Sequence, residues 1–559
     1  MVSLWMILIL GVSPLVSSFP WPAPKVTVSS PDGTITGVPG EVETFNGIPF
    51  AKPPVGALRL KPPKALDEPL GEIEATGLAP ACPQFFLSVD KSSFPLNLLG
   101  EAINLPIFQG ILGAKEDCLT VSIQRPAGTK PGDKLPVLFW IYGGAFQLGG
   151  IQMYDGRSLV KESMDNGQPI IFVAVNYRLG AFGFLHGAEV LADGATNLGL
   201  LDQRLALQWV ADNIESFGGD PDRVTIWGES AGSFSVLDQM LLYNGDNTYN
   251  GKPLFHGAIM NSGGLVPADP SDSPKAQAVY DLVVDSSGCS SADDTLECLR
   301  GVDYETMLRA SNSVPGIASY HATAFFYLPR PDGNTLTDSA DALVKQGKYA
   351  KVPFIIGDME DEGTLFALFQ PNVTKSSEIV DYLSKIYFPT ADKKLISQWV
   401  DTYPNDLRKG SPYRTGLLYN LFPLFKRMAS LLGDYVIILS RRILLTTVQE
   451  NDPDLAFWSF IGTWNHGTPF LGTFHASDLV QTFYGALPNF ARRATRGYYF
   501  SFVYHQDPNK GENGLPIWPR WSEGKQLMNF MANRVELLKD NFRQKPFKFL
   551  LENLEKFRL

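Results

Sequence analysis

Apolar positions along the chain form short continuous runs separated by longer polar and helical stretches. Residues 197–210 (NLGLLDQRLALQWV) predict a helix because their apolar positions recur three and four residues apart, and residues 231–242 predict another. The runs between such stretches are rich in β-branched and aromatic residues, which is typical of strands buried on both faces. These runs are VLFWIY (137–142), IIFVAV (170–175), VTIW (224–227), AIM (258–260), FII (354–356) and FWSF (457–460). The alternation predicts an α/β fold with a large, mainly parallel sheet flanked by helices.

The length of 559 residues alone would indicate several domains. However, no repeat, charge block or low-complexity linker divides the sequence, and its 41 prolines and 51 glycines are spread throughout. We therefore predict one α/β domain with long insertions. The net charge of −11 argues against a nucleic-acid partner, which normally requires a basic surface.

The N-terminus carries a short apolar segment, from about residue 4 to residue 16. It is too short to span a bilayer, and the small residues that follow fit a signal-peptidase site after Ser18. We therefore predict a signal peptide at 1–18, a mature domain at 19–559 and a secreted protein. The segment lacks a basic start, so a short buried strand or an anchor is the alternative.

Four cysteines are an even number, which in a secreted chain favours two disulfides. No CxxC or HxxxH spacing accompanies them, so a zinc site is the weaker interpretation, and we expect neither metal nor cofactor. Pairing between sequence neighbours is the simplest arrangement, joining Cys82 to Cys118 and Cys289 to Cys298. A glycosylation sequon at Asn372 fits a surface position in the same compartment.

The stretch VTIWGESAGSFS places a serine between a predicted strand and a predicted helix. Such a connection requires a sharp turn, and Gly228 and Gly232 leave room for the chain beside Ser230. Ser230 would then project at the carboxyl edge of the sheet, where open α/β sheets bind ligands. The N–H of Ala231, at the helix start, would face a negative charge forming beside the serine. This pattern predicts a nucleophile; the alternative is a helix cap next to structural glycines.

A nucleophilic serine requires a base and an acid that orients it. His475 lies in a connection after the strand FWSF, and His466 is its only serious rival. The acid is expected in GDMEDEGT (357–364), directly after the strand FII. Spacing alone leaves four candidates there, Asp358, Glu360, Asp361 and Glu362.

The glycine-rich stretch IYGGAFQLGG (141–150) follows another predicted strand. Its backbone N–H groups can face a substrate oxygen and form an oxyanion hole. A phosphate-binding loop is the competing interpretation, but no Gly-Lys-Ser/Thr ends the stretch.

Taken together, these motifs resemble the type-B carboxylesterase/lipase family of α/β-hydrolases, which contains fungal secreted lipases, cholinesterases and neuroligins. The resemblance runs from about residue 25 to 550. It rests on GIPFAKPPVGALRL (47–60), EDCLTVSI (116–123), WIYGGAF (140–146), NYRLGAFGFL (176–185), NLGLLDQRLALQWV (197–210), GGDPDRVTIWGESAGS (218–233), DEGT (361–364) and GTFHASDL (472–479).

The resemblance implies a role for each candidate residue. Ser230 is the nucleophile, His475 the base and Glu362 the acid, and Ser262 corresponds to a serine that hydrogen-bonds the acid. The implied oxyanion hole is formed by the N–H groups of Gly144, Ala145 and Ala231, with Ala145 standing where many members have a third glycine. The resemblance also supports the local disulfide pairing and two structural ion pairs, Arg59–Glu116 and Arg178–Asp202.

In the lipases of this family, the first cysteine loop acts as a lid over the serine. Between Ser92 and Ala114 this loop carries a single charge, Glu101, among many apolar side chains. We therefore expect it to cover the site or to meet a lipid interface; the alternative is a loop packed permanently on the body.

Besides hydrolysis of apolar esters, the family includes two other functions, non-catalytic binding and hydrolysis of choline esters. A non-catalytic, neuroligin-like binding protein typically lacks the serine, whereas all three triad positions are filled here. A cholinesterase holds its cationic substrate against a tryptophan in the first cysteine loop, and residues 83–117 contain neither tryptophan nor tyrosine. The sequence therefore predicts a secreted serine esterase or lipase acting on apolar carboxylic esters, and it predicts no oligomeric state.

Overall fold

The computed structural model describes residues 22–85, 113–485, 488–511 and 514–559. The predicted signal peptide and most of the predicted lid, residues 86–112, lie outside the described residues. None of the helices in the described part of the chain is long and apolar enough to cross a membrane.

The strands of the described chain are β1 (Lys25–Ser29), β2 (Asp32–Thr36), β3 (Val42–Pro49), β4 (Gly71–Glu74), β5 (Thr120–Pro126), β6 (Leu135–Ile141), β7 (Ile171–Val175), β8 (Gly219–Glu229), β9 (Thr248–Tyr249), β10 (Lys252–Pro253), β11 (Gly257–Asn261), β12 (Phe354–Met359), β13 (Phe457–Gly462), β14 (Gln526–Phe530) and β15 (Val535–Lys539).

The α-helices of the described chain are α1 (Arg157–Asp165), α2 (Gly180–Phe184), α3 (Ala188–Ala192), α4 (Leu198–Asn213), α5 (Ala231–Gly245), α6 (Pro274–Ser287), α7 (Thr295–Gly301), α8 (Tyr304–Ser311), α9 (Ala340–Lys345), α10 (Ser376–Tyr382), α11 (Lys393–Asp401), α12 (Phe425–Gly433), α13 (Leu439–Asn451), α14 (Phe490–His505) and α15 (Gln544–Asn553).

Ten strands form one sheet in the order β15-β14-β13-β12-β11-β8-β6-β7-β5-β3. The strands from β7 to β14 run parallel to their neighbours, and antiparallel pairs close both ends of the sheet. The six predicted runs supply β6, β7, β8, β11, β12 and β13. Five of these strands are buried along almost their whole length and β8 is buried over its last six residues, because helices cover both faces. The predicted mostly parallel α/β sheet is confirmed.

An aromatic cluster anchors the middle of this sheet. Trp140 of β6 and Trp227 of β8 are register partners with ring centroids 4.4 Å apart, and Phe483 contacts both rings, at 5.0 and 5.6 Å. All three side chains are fully buried. Such packing holds the end of β8 firmly, three residues before Ser230.

Two disulfides and two buried ion pairs connect segments that lie outside the strands of the ten-stranded sheet. The bonds join Cys82 to Cys118 and Cys289 to Cys298, as the resemblance implies. The ion pairs are Arg59–Glu116 at 2.6 Å and Arg178–Asp202 at 2.7 Å. Both arginines bind their carboxylates through two nitrogens, a geometry that fixes orientation more than it adds net stability.

Candidate active site

Ser230 lies in the single-residue turn between β8 and α5, at the carboxyl edge of the sheet. Its backbone angles, φ 56° and ψ −125°, fall in a region that ordinary side chains rarely occupy. The N–H of Ser230 donates to the carbonyl oxygen of Asn261 on the neighbouring strand β11, at 2.9 Å. This bond and the strand–helix geometry hold the strained turn, so the side chain of Ser230 projects from the sheet edge.

The glycines on either side of Ser230 are required by close packing. A Cβ on Gly228 would overlap the carbonyl oxygen of Gly232, and a Cβ on Gly232 would overlap the carbonyl oxygen of Ile141 on β6. The backbone of α5 therefore lies directly against the strands, which no side chain at either position would permit.

His475 connects Ser230 to Glu362. Its Nε2 lies 2.8 Å from Ser230 Oγ and its Nδ1 lies 2.6 Å from Glu362 Oε2. His475 is 8% exposed and Glu362 is fully buried. The other carboxylate oxygen of Glu362 accepts the N–H of Met359 at 2.7 Å. A hydroxyl bonded to an imidazole that is itself bonded to a buried carboxylate can activate a serine as a nucleophile.

The rival acids point elsewhere. Asp358 pairs with Arg441 at 2.7 Å, and Glu360 pairs with Arg414. Asp361 accepts hydrogen bonds from one hydroxyl and two backbone N–H groups of the described chain. The spacing in GDMEDEGT could not separate these residues, because their directions depend on distant partners.

The rival histidine also lies apart from the serine. His466 Nδ1 lies 3.8 Å from Glu360 at the outer side of the acid segment, and His466 is about two-fifths exposed. Among the described residues, the contact to Ser230 Oγ comes from His475 alone.

The glycine-rich stretch after β6 turns past Ser230. Gly144 and Ala145 adopt left-handed backbone angles, with φ of 114° and 58°, and their N–H groups donate to no backbone oxygen among the described residues. Ala231 is the first residue of α5, where an N–H has no acceptor within its own helix. These three groups are therefore free to stabilise negative charge on an oxygen beside Ser230.

A cavity of about 260 Å³ opens onto Ser230 and His475. Apart from Glu229, its walls are mainly apolar, and include Phe234, Ile317, Phe325, Phe366, Val436, Ile437 and Leu479. A largely apolar wall with a few polar groups at one end is typical of sites for small apolar ligands.

One implied contact is absent. The hydroxyl of Ser262 is buried but makes no hydrogen bond among the described residues, whereas the resemblance implies a bond to Glu362. The two oxygens of Glu362 instead accept from His475 and from the N–H of Met359.

Two buried carboxyl groups near His475 were not predicted from the sequence. Glu229 Oε1 lies 3.6 Å from His475 Nε2, and burial raises the pKa of Glu229 to about 8. Asp478 accepts the side-chain amide of Asn261 at 2.7 Å, and burial raises its pKa to about 6. Their positions, one residue before the serine and three after the histidine, were the available signal.

Asn372 is exposed, as a glycosylation sequon requires. No group of three or more His, Cys, Asp or Glu side chains in the described ranges is arranged to hold a metal ion.

Comparison with known proteins gives consistent matches over nearly the whole chain. The sequence model of the carboxylesterase family matches residues 22–550. A Gibberella zeae protein described as a secreted triacylglycerol lipase is 57% identical over 534 residues, covering 95% of this chain and 91% of its own. A secreted lipase of Botryotinia fuckeliana is 56% identical, covering 96% and 94%.

The fold is similar to that of a solved structure. The crystal structure of Aspergillus niger EstA matches with a TM-score of 0.79 at 26% identity, and the match covers 95% of this chain and 99% of that one. The predicted α/β-hydrolase fold is thereby confirmed.

Proposed function

This chain belongs to the carboxylesterase family and hydrolyses carboxylic esters, and we propose that its substrates are esters with apolar acyl chains, including triacylglycerols. The observation that carries the proposal is the mainly apolar cavity of about 260 Å³ that Ser230 and His475 help to line. Relatives described as secreted lipases support the same substrate class.

The proposed reaction has two steps. In the first, His475 Nε2 takes the proton of Ser230 Oγ while that oxygen bonds to the ester carbonyl carbon. The carbonyl oxygen becomes negative and is stabilised by the N–H groups of Gly144, Ala145 and Ala231. The carbon–oxygen bond to the alcohol then breaks, and the alcohol leaves with the proton from His475.

In the second step, water replaces the alcohol and frees the acid. His475 removes a proton from the water, the hydroxyl attacks the acyl carbon, and the bond to Ser230 Oγ breaks as His475 returns the proton to it. Throughout, Glu362 holds the imidazole in one tautomer and stabilises the imidazolium. This role is supported by the 2.6 Å contact between Glu362 and Nδ1.

A pH profile tests the role of His475. Burial alone lowers the pKa of His475, but the carboxylate of Glu362 outweighs it and raises that pKa from 6.5 to about 9. The base must be neutral to accept a proton, so kcat/KM for a soluble butyrate ester is expected to rise with pH and to level off only above about 9. A profile already level above the ordinary histidine pKa of about 6.5 would contradict the raised pKa of His475, and a rate that does not fall at low pH would contradict its role as the base.

The substrate class is tested with a butyrate and a palmitate ester, each assayed below and above its solubility limit. We expect palmitate hydrolysis to exceed butyrate hydrolysis once palmitate forms an interface, because the apolar cavity favours the longer chain. Saturation on dissolved butyrate with little palmitate hydrolysis would instead indicate an esterase for soluble substrates. Ser230→Ala, assayed on both substrates, corrects for hydrolysis that does not depend on the site.

We also propose that residues 1–18 direct secretion and are removed, that residues 19–559 form one domain, and that Asn372 carries a glycan. The two disulfides and the secreted relatives support an extracellular protein. Mass spectrometry of protein purified from the culture medium would identify the N-terminal residue and the modification.

A further inference from the structure

The carboxylate of Asp361 forms a buried junction next to the triad. Asp361 immediately precedes Glu362 and is 1% exposed. Its Oδ1 accepts the hydroxyl of Ser411 and the N–H of Tyr413, both at 2.8 Å, while its Oδ2 accepts the N–H of Thr473 at 3.0 Å. One side chain therefore joins the segment carrying Glu362, the turn at 411–413 and the segment leading to His475.

The backbone repeats this connection between the acid and histidine segments. The N–H of Asp361 donates to the carbonyl oxygen of Thr473 at 2.9 Å, and Asp361 pairs with Phe474 as an isolated parallel bridge. The hydroxyl of Thr364 donates to the carbonyl oxygen of Leu471 at 2.8 Å. The two segments are thus held together just before each delivers its triad side chain.

The same carboxylate leaves no space for a side chain at position 472, which is a glycine. Gly472 has a φ of 62°, and a Cβ built on it would overlap Asp361 Oδ2. The histidine segment can approach the carboxylate only because position 472 has no side chain.

Asp361 differs in its partners from two other buried aspartates, Asp358 and Asp540. Asp358 and Asp540 both pair with Arg441, whereas Asp361 forms no ion pair within the described residues and binds three neutral donors. A buried carboxylate without a cation is costly unless its hydrogen bonds are satisfied. Here those bonds fix the relative position of two segments, which is a geometric role.

We propose that Asp361 is a positioning residue for ester hydrolysis: by fixing the segment of Thr473 against that of Glu362, it sets the contact between Glu362 and His475. The inference rests on the proposed function, because it assigns Asp361 to the same triad. It predicts that loss of the junction slows the chemical steps and leaves substrate binding largely intact, since Asp361 does not line the cavity.

The first test is Asp361→Asn, assayed on a soluble butyrate ester. An amide offers one acceptor oxygen, so either Thr473 or the pair of donors at 411–413 loses its partner. We expect kcat to fall about 10²-fold with KM changed less than about twofold, as for a misplaced catalytic group. The matched control is Glu360→Gln, which should retain wild-type kcat. Within the described ranges, the carboxylate of Glu360 forms its ion pairs with Arg414 and His466 and contacts neither Glu362 nor His475.

Gly472→Ala is a second variant that alters neither carboxylate chemically. Its methyl group would push the histidine segment away from Asp361, and it is expected to reproduce the fall in kcat. Circular dichroism and an active-site titrant would measure the folded and competent fractions, so that a loss through misfolding is separated from slower turnover.

A spectroscopic readout distinguishes positioning from general stabilisation. In the wild type, the His475 Nδ1 proton shared with Glu362 should give a far-downfield proton NMR signal, and in Asp361→Asn this signal should shift upfield or broaden. Wild-type kcat and an unchanged signal in folded Asp361→Asn would overturn the inference. If the Ser230→Ala variant hydrolysed the ester at the wild-type rate, the proposed function itself would be overturned.

Discussion

Ser230→Ala is expected to lower kcat for a soluble butyrate ester by about 10⁶-fold while the protein stays folded. The expectation follows from the proposed acyl-enzyme, in which Ser230 Oγ forms the bond to the acyl carbon. Alanine is smaller than serine and fits the same turn, although the positive φ of 56° remains strained. The measurement is initial rate against substrate concentration, with spontaneous hydrolysis subtracted.

Ser233→Ala is the matched control for this substitution. Ser233 lies one turn along α5, and its buried hydroxyl has no hydrogen-bond partner among the described residues. Its removal should change kcat less than about twofold, because no bond is lost. Ser230→Ala retaining wild-type rates beside an unaffected control would remove the whole triad assignment.

Glu362→Gln is expected to have the second largest effect, a fall in kcat of about 10⁴-fold. The amide oxygen can still accept the N–H of Met359, which turns the amide nitrogen toward His475 Nδ1. Because that nitrogen donates, Nδ1 must accept, and the proton moves to Nε2, where it blocks proton removal from Ser230. The imidazolium also loses its neighbouring negative charge.

Glu360→Gln again serves as the control, since it makes the same chemical change two residues away. Steady-state rates and thermal unfolding of both variants would be compared with the wild type. A Glu362→Gln enzyme within tenfold of the wild type, with Glu360→Gln strongly impaired, would transfer the acid role to Glu360 and remove Glu362 from the triad.

The central strands and the nucleophile could be predicted because the features that mark them lie within short stretches of sequence. The strands β6 and β7 and the second half of β8 are buried on both faces and therefore appear as continuous apolar runs. In contrast, β3 and β15 lie at the ends of the sheet and mix polar with apolar residues, so no run marks them. The turn at Ser230 could be recognised in the sequence because its two glycines are required by close contacts. These contacts involve residues only a few positions away and one adjacent strand.

The remaining site residues depend on contacts between distant segments. Spacing alone did not identify the acid, and the family resemblance selected Glu362. In the structure, a rival such as Asp358 is directed away from His475 because it pairs with a distant residue, Arg441. The hydrogen bond that the resemblance implies for Ser262 is not formed, although Ser262 is buried, and the sequence carries no signal for that difference. Glu229 was overlooked because its relation to His475 arises only when the segment of Ser230 meets that of His475, and these two residues are 245 positions apart.

The order of the proposed triad along the chain determines how much of the fold must form before the site is complete. His475 follows Ser230 by 245 positions and Glu362 by 113, and it is held after β13, a strand that docks on β12. A nascent chain that has emerged only through β12 therefore carries a nucleophile without a base. With the proposed triad, ester hydrolysis requires that β13 has docked on β12, so the regain of activity in refolding would report this docking step.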